Sequence, residues 1–181
     1  MSPRKAEPLT IEYVLLGLIR SNPTHGYELL HTLEAADGIG LVWRIKPGRL
    51  YALLERLEGL GWLVSEVKPG DGFMQRKEYH IAPAGELALS AWMDEPVRSA
   101  HRMRQEFLAR LYFAQQQGPE MVNWLVSRQE QTCRGWLESL KQESDNLPAD
   151  AGFAHMVSRF RIGQVEAMLR WLDGCRLPAP G

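Results

Sequence analysis

The chain has 181 residues, of which 45% are hydrophobic and 24% charged, and its formal net charge is −1. This size and balance fit one or two compact domains, and no uncharged apolar run is long enough to cross a membrane. The first ten residues, MSPRKAEPLT, lack the apolar core of a secretory signal, so we expect a cytoplasmic protein. A whole-molecule polycation is excluded, and any contact with nucleic acid must come from local basic clusters.

Three helices are predicted first. The segment TIEYVLLGLIR predicts a helix capped by Thr10, and HGYELLHTLEAAD predicts a second helix, capped by Thr24 and stopped by Gly38. The third helix begins with Pro47, whose missing N–H costs nothing at a first helical position, and ends before Gly61. Its inner face is an apolar stripe at three- and four-residue spacing, made of Leu50, Leu53, Leu54, Leu57 and Leu60.

The opposite face of the third helix has small side chains. Gly48 and Ala52 lie on it together with Glu55 and Gly59. Arg49 and Arg56 follow one border, one heptad apart, and Tyr51 lies on the other. Such a face is typical of a solvated helix, or of a helix that must approach another surface closely.

A hairpin follows the third helix. Residues 62–67 predict a strand, KPGDG a turn and QRKEYHI a returning strand, with Lys68 near the turn and Arg76 and Lys77 on the return. Three helices followed by a hairpin are the ordered parts of a winged helix-turn-helix, in which the third helix is the recognition helix. In that fold Gly48 and Ala52 would permit close approach to base edges in the major groove, and the arginines would reach phosphates or guanine.

Only helices are predicted in the second half, over residues 83–95, 100–117, 119–146 and 150–173. The last two carry apolar residues at roughly heptad spacing, which is typical of helices that pack against a partner chain, although a bundle within one chain would give the same pattern. The candidate dimerisation residues are Val122, Leu125, Trp136, Leu140, Phe153, Val157, Phe160, Met168 and Leu172.

Three motifs in order carry a resemblance to a known family: HGYELL, KPGRLYALLERLEGLGWL and RKEYHIAPAGELAL. Together they resemble the N-terminal domain of the PadR family of transcriptional regulators, and QEFLARLYFAQ and EAMLRWLDG are similar to its longer helical C-terminal domain. The resemblance implies a mainly α fold, with a winged helix-turn-helix DNA-binding domain over residues 1–95 that has a two-stranded wing. An all-helical dimerisation domain, possibly binding an effector, would occupy residues 96–181. It also implies a homodimer that binds double-stranded DNA at an inverted repeat, most often as a repressor.

The resemblance also implies a set of DNA-binding residues. The set comprises Tyr27, Lys46, Gly48, Arg49, Tyr51, Ala52, Arg56, Lys68, Arg76, Lys77 and Tyr79. Lys46 and Arg49 depart from the family's usual serine and small hydroxyl residue, which removes a helix cap and adds positive charge at the groove edge. Glu78 interrupts the usual aromatic pair of the wing, and Ala82 replaces a capping threonine, at a cost of about 1 kcal/mol.

A small aromatic or phenolic effector is the other partner that the resemblance suggests. Trp92 offers a flat aromatic face, and His101 and Arg104 could bind a carboxylate, so we treat these three as a candidate effector site. Tryptophans more often serve core and interface packing, and a basic run is more often simply solvated.

Catalysis, cofactors and metals are not expected. The sequence contains no nucleophile elbow, zinc-protease motif or phosphate-binding glycine loop, and the five histidines are scattered. Cys133 and Cys175 lack metal-ligand spacing and are expected to be reduced. The main alternative to DNA binding is a winged helix used for protein contacts, because a fold alone does not fix function. Such a protein would show apolar residues at positions 49, 52, 56, 76 and 77, where this sequence has small and cationic ones.

Overall fold

The computed structural model describes residues 9–69 and 75–178. The chain forms two compact units, Met1–Glu95 and Pro96–Gly181. Residues 1–8, where no secretory signal was expected, and residues 70–72 of the predicted KPGDG turn lie outside the described residues. Within the described ranges, no helix is both long and apolar enough to span a bilayer.

The first unit combines four α-helices with a small antiparallel sheet. Its elements in chain order are α1 Thr10–Ser21, β1 Thr24–His25, α2 Gly26–Glu34, a 3-10 helix Gly38–Leu41, α3 Pro47–Gly59, β2 Leu63–Pro69, β3 Gln75–Ile81 and α4 Pro83–Asp94. The predicted order of three helices and a hairpin is confirmed, and with it the mainly α winged helix-turn-helix fold.

The sheet has one strand more than the predicted two-stranded wing. β3 is its centre, with β2 on one side and the two-residue β1 on the other. Thr24 pairs with Tyr79 and His25 with Glu78, while Leu63 pairs with Ile81 on the β2 side. A two-residue strand is too short to show period-two alternation, so the local sequence pattern gave no sign of β1.

Both predicted helix caps were wrong. Thr10 is the first residue of α1 rather than its cap, because Glu12 reaches back and its Oε2 accepts a hydrogen bond from the N–H of Leu9 at 2.7 Å. Thr24 lies in β1, and its hydroxyl donates to the carboxylate of Glu28. In both places a glutamate in the first turn accepts a hydrogen bond from the N–H of the N-cap residue, which is the glutamate half of a capping box.

α2 ends three residues earlier than predicted. Its last residue is Glu34, and the chain then turns into the 3-10 helix that begins at Gly38, whose φ of +50° suits glycine. The turn places Ile39 in the core, where it is almost completely buried. Burial of one such side chain stabilises the fold by about 1.5–3 kcal/mol, which is more than a further turn of α2 would contribute.

The leucine stripe of α3 packs inward as predicted. Leu50, Leu53, Leu54 and Leu57 are buried, whereas the fifth predicted member, Leu60, is the C-cap residue and is half-buried. The helix ends at Gly59, and two residues later Gly61 has a left-handed φ of +69° and donates its N–H to the carbonyl of Glu58 at 2.9 Å. Glycine takes up this conformation without steric cost, so the predicted end of the recognition helix is confirmed.

The second unit is helical throughout its described part. Its elements are a 3-10 helix Ala100–Arg102, a π-helical turn Met103–Phe107, α5 Leu108–Gln117, α6 Pro119–Asp145 and α7 Gly152–Gly174. The single helix predicted over residues 100–117 therefore changes type twice. Glu106 in the π turn forms an ion pair with Arg110 on α5, and both side chains are buried. The partner in that pair compensates the loss of hydration of each charge.

Candidate nucleic-acid interface

The small-residue face of α3 points away from the protein. Lys46, Gly48, Arg49, Tyr51 and Ala52 are all exposed, on the side opposite the buried leucines. A Cβ added at Gly48 would meet no atom within 4 Å, so internal packing does not require a glycine there. Since glycine costs a helix about 0.5–1 kcal/mol relative to alanine, the reason for its presence lies outside the unit's own core. No side-chain hydrogen bond is made at the N-cap residue Lys46, as expected from its replacement of serine.

Arg56 was predicted to reach DNA, but the structure gives it an internal partner. Its Nη1 lies 2.6 Å from Oε1 of Glu12, whose side chain is completely buried on α1, whereas the Arg56 side chain is one-third exposed. A buried carboxylate without a partner costs several kcal/mol. Arg56 therefore holds the recognition helix against α1, and its predicted contact with DNA stays a prediction.

The wing carries its basic residues in ion pairs. Nζ of Lys68 lies 2.5 Å from Oε1 of Glu78 across the β2–β3 ladder, and Nζ of Lys77 lies 3.2 Å from Oε2 of Glu58 on α3. The hydrogen bond to Glu78 raises the pKa of Lys68, and the bond to Glu58 raises the pKa of Lys77. Both lysines are exposed, and exposed pairs contribute only about 0–1 kcal/mol. A phosphate could replace either carboxylate at small cost.

A cleft of about 610 Å³ lies between α2, α3 and β3, and it is called the tyrosine cleft here after its three tyrosines. Tyr27 and Tyr51 are exposed at its edge, and Arg76 and Lys77 on β3 are exposed too. Tyr79 was predicted to contact DNA, but it is only 5% exposed and lines the cleft from the buried side. Burial raises the pKa of Tyr79. Its burial leaves little of the Tyr79 side chain for a DNA contact.

Gly26 allows α2 and α3 to meet closely in this cleft. A Cβ at Gly26 would lie 2.7 Å from Cε1 of Tyr51, which is closer than real Cβ contacts come. Only glycine leaves the Tyr51 ring in its observed position, facing the cleft and solvent. Gly26 therefore positions one of the predicted DNA-binding side chains.

Sequence reasoning missed the bonds that join α2 to the wing. Nδ1–H of His25 donates to the backbone carbonyl of Lys77 at 2.9 Å, and Glu28 accepts from the N–H of His25 at 3.1 Å. The His25 ring therefore joins the start of α2 to β3. The bonds to Thr24 and His25 lower the pKa of Glu28. The HGYE motif carries both residues, although only the fold shows that they meet the wing.

The wing also brings together three groups that could hold a metal ion. Ligand atoms of Glu66, Glu78 and His80 lie within 4.8 Å of one another. Glu78, however, shares its carboxylate with Lys68, and His80 Nε2 lies 3.0 Å from the same carboxylate. The ammonium group of Lys68 already supplies a cation to Glu78, and it holds the pKa of that carboxyl below its ordinary value.

The candidate dimerisation residues divide into two groups in the second unit. Buried side chains, which pack within the chain, are Val122, Leu125, Leu140 and Leu172, while Trp136 and Met168 are half-buried. Phe153, Val157 and Phe160 are exposed along one face of α7, together with Met156. We call these four residues the α7 stripe. The four buried residues pack within their own chain. The exposed residues of the α7 stripe therefore offer apolar area to a partner.

The candidate effector residues belong to two different units. Trp92 belongs to the first unit, where it is buried and its ring stacks on Tyr13 with centroids 5.1 Å apart. His101 and Arg104 are exposed residues of the second unit. Core packing accounts for Trp92. Both cysteines are free, and burial raises the pKa of the Cys133 and Cys175 thiols.

The first unit is a winged helix-turn-helix: three helices are followed by the β2–β3 wing, and the third helix exposes its outer face. A model of the "Transcriptional regulator PadR-like family" matches residues 15–91, and "Virulence activator alpha C-term" matches residues 103–177. The chain belongs to the PadR-like family of transcriptional regulators. The Transcriptional regulator Rv3488 of Mycobacterium tuberculosis is 34% identical over 87 residues, which cover 48% of this chain and 76% of that protein.

The Negative transcriptional regulator PadR of Bacillus subtilis is 23% identical over 141 residues, which cover 78% of this chain and 76% of that protein. That regulator has been solved in complex with operator DNA (19% identity, 93% of this chain and 97% of that chain covered, TM-score 0.49). It has also been solved with p-coumaric acid (19% identity, 92% and 96% covered, TM-score 0.44).

Proposed function

We propose that the protein is a ligand-responsive repressor that binds double-stranded DNA at an inverted repeat as a homodimer. One observation carries the proposal: the outer face of α3 is exposed and small at Gly48 and Ala52, and its borders carry Lys46 and Arg49. A helix enters the major groove only if its leading side chains let the backbone come near the base edges. Cations beside such a face supply phosphate and guanine contacts.

The exposure of each side chain guides which residues we assign to these contacts. Lys46, Arg49 and Tyr51 are exposed on α3, and Tyr27 is exposed at the start of α2. We assign groove and backbone contacts to these residues and to Ala52, and not to Arg56 or Tyr79. The described residues at positions 49, 52, 76 and 77 are small or cationic, which favours DNA over the alternative of a protein-binding winged helix.

The wing would hold the DNA backbone. Arg76, Lys77 and Lys68 are exposed on β2 and β3, and the two lysines can exchange a carboxylate partner for a phosphate. Phosphate contacts fix the position of a protein on the duplex without reading sequence. The tyrosine cleft lies between this wing and α3, so both elements can meet the same stretch of DNA.

The α7 stripe supports a homodimer. Phe153 and Phe160 are 77% and 71% exposed, and two turns of helix separate them on one face. Apolar side chains exposed at this spacing are typical of a helix that packs against a partner. Two-fold symmetry would bring two recognition helices to half-sites about one helical turn of DNA apart, roughly 34 Å.

Repression and ligand response come from family membership. The Bacillus subtilis relative is a negative regulator that has been solved with operator DNA and with p-coumaric acid. We extend both kinds of partner to this chain, with a small aromatic or phenolic molecule as the effector class. Action on chromosomal DNA would place the protein in the cytoplasm.

The proposal is tested by selecting duplex fragments of the source genome on the full-length protein and footprinting the sites recovered. We expect an inverted repeat, bound with at least about a thousandfold preference over unrelated DNA. Ala52→Leu should then abolish that preference and leave the melting temperature unchanged, because the added side chain holds α3 away from the groove. Ala91→Leu, at an exposed alanine of α4, is the matched control. The proposal would be contradicted if no sequence were enriched, or if Ala52→Leu bound the recovered site normally.

A further inference from the structure

The outer face of the wing carries ligating side chains that the proposed DNA contacts do not use. Glu78 and His80 lie two residues apart on β3, so their side chains leave the same face of the sheet. Glu66 on β2 is paired directly with Glu78 in the antiparallel ladder and belongs to that face as well. One carboxylate oxygen from each glutamate and one ring nitrogen of His80 lie within 4.8 Å of one another. We call these three residues the wing triad.

The ladder places two negative charges side by side in the wing triad. Like charges at directly opposed positions of a β ladder destabilise the pairing, and Glu66 and Glu78 are such a pair. Nζ of Lys68 lies 2.5 Å from Oε1 of Glu78, and this leaves Glu66 without an ion pair among the described residues. A divalent cation between the two carboxylates would neutralise both.

His80 adds a nitrogen ligand to these oxygens. Its Nε2 is buried and lies 3.0 Å from Oε1 of Glu78, but the two atoms are not aligned for a hydrogen bond, and no other described group bonds this nitrogen. Buried polar atoms without a hydrogen bond are rare in folded proteins, and an ion is one of the partners that account for them. Imidazole nitrogen together with carboxylate oxygen is a ligand set that suits zinc and similar transition metals.

From this arrangement we infer that the wing triad binds one Zn²⁺ or a chemically similar divalent transition-metal ion through Glu66, Glu78 and His80. Zinc bonds these atom types at about 2.0–2.2 Å, so its ligand atoms lie roughly 3.4 Å apart in a tetrahedron. Glu66 is exposed, and a rotation of its side chain brings the three atoms to that spacing. Three protein ligands leave the fourth position of the ion to water.

Metal binding would release Lys68 from Glu78. The ammonium group and the metal ion compete for the same carboxylate, and the two cations repel each other. Lys68 is exposed, and an exposed ion pair contributes little to stability, so its loss is a small penalty. The released ammonium group is then available to a DNA phosphate. Binding of the metal does not depend on DNA, and only this gain in operator affinity rests on the proposed function.

The experiment is a calorimetric titration of the full-length, chelator-treated protein with zinc chloride, combined with NMR of the histidine rings. We expect one Zn²⁺ per chain, and the ring signals of His80 should shift as it binds. Glu66→Gln and His80→Gln should each weaken zinc binding at least tenfold, because each removes one ligand. Lys68→Met removes the competing cation and should tighten zinc binding at least threefold. The matched controls are Glu138→Gln and His101→Gln, at exposed residues of the helical unit, and they should leave the affinity unchanged.

Glu66→Gln and Lys68→Met change residues two apart on the same strand, so opposite effects on zinc cannot both come from damage to the fold. The inference would be overturned if zinc did not bind at millimolar concentration, or if Glu66→Gln and His80→Gln bound it as the parent does. Unchanged or weaker binding by Lys68→Met would overturn it as well.

Operator affinity is measured on the same preparations at a series of salt concentrations, with and without zinc chloride. We expect zinc to raise the affinity at least twofold and to steepen the salt slope by about one unit, and Lys68→Met to abolish both effects. Zinc binding that leaves operator affinity unchanged would overturn the release of Lys68. Zinc binding without any operator binding would leave the wing triad standing and defeat the proposed function, and operator binding without zinc binding would defeat only the metal site.

Discussion

The guanidinium of Arg56 on the recognition helix lies 2.6 Å from the carboxylate of Glu12, which is completely buried on α1. The other oxygen of Glu12 accepts from the N–H of Leu9 at the start of the same helix. One carboxylate thus caps α1 and fixes α3. The orientation of the DNA-facing surface depends on this pair, although neither residue belongs to that surface.

Replacement of Arg56 by alanine should therefore act on stability first. It leaves the carboxylate of Glu12 buried with one partner fewer, at a cost of about 1–3 kcal/mol in the free energy of unfolding. For a unit of this size each kcal/mol lowers the melting temperature by roughly 4–8 °C. Thermal melting of the full chain measures the effect, and DNA affinity should fall at every operator position.

Arg49→Ala is the matched control on the same helix. Arg49 is exposed, so its removal should leave melting unchanged and reduce DNA affinity. Normal melting of Arg56→Ala, combined with relaxed specificity at one base pair, would show that Arg56 reads DNA as the sequence first suggested.

The wing offers a prediction in the opposite direction, a gain of affinity. Glu58 holds Lys77 at 3.2 Å, so Glu58→Gln should free Lys77 for phosphate and also remove a negative charge beside the groove. We expect operator affinity to rise by up to about fivefold at low salt, the limit set by an exposed ion pair. Lys77→Ala should lower the salt slope by about one unit in the Glu58→Gln background, and by less in the parent.

Glu86→Gln removes a carboxylate from α4 and controls for the change in net charge alone. The measurement is operator affinity at a series of fixed salt concentrations. A loss of affinity in Glu58→Gln would mean that the ion pair orders the wing for binding and does not compete with phosphate.

The pKa of Glu28 makes the junction of α2 and the wing sensitive to acid. Folding lowers this pKa from its ordinary value of 4.5, chiefly through the hydrogen bond from Thr24 and then through the N–H of His25. The ionised carboxylate therefore stabilises the folded state above about pH 4.5, and this contribution is lost as pH falls through the lowered pKa. Thr24→Val removes the largest cause and keeps a residue that suits a strand. Carboxyl NMR titration should show the pKa of Glu28 rising toward 4.5, and an unchanged midpoint would refute the assignment.

The sequence predicted what depends on local periodicity. The leucine spacing of α3, Pro47 at its start and Gly61 after its end are properties of one segment, and the structure has each of them where expected. The order of three helices and a hairpin followed from the same kind of signal. The two-residue β1 did not, because its partners in β3, Tyr79 for Thr24 and Glu78 for His25, lie 55 and 53 residues further along the chain.

The site was harder to predict because its side chains are placed by contacts distant in sequence. Arg49 and Arg56 lie on the same border of α3, so the helix pattern alone does not distinguish them. The difference is that Arg56 bonds to Glu12, which lies 44 residues earlier in the chain. Tyr79 lies on the wing strand β3, and only the fold shows that its side chain is buried. In the second unit, heptad spacing marked apolar positions on α6 and α7 but could not tell Leu172, buried within the chain, from the exposed Phe160.

The difference between buried and exposed apolar residues on α7 leads to a prediction about dimer formation. Phe160 is 71% exposed at one end of the α7 stripe, so Phe160→Lys should leave the fold of the unit intact. Leu41→Lys, at an equally exposed apolar residue of the first unit, is the matched control. In a two-fold dimer the change occurs twice, and each copy loses about 1.5–3 kcal/mol of apolar burial and gains a charge that must be desolvated. Sedimentation should show a monomer for Phe160→Lys and a dimer for Leu41→Lys, with equal melting of the dilute proteins. Binding to a full inverted repeat should fall to that of a half-site. A dimer that survives Phe160→Lys would place the interface elsewhere on the chain and remove the support that the α7 stripe gives to the inverted-repeat operator.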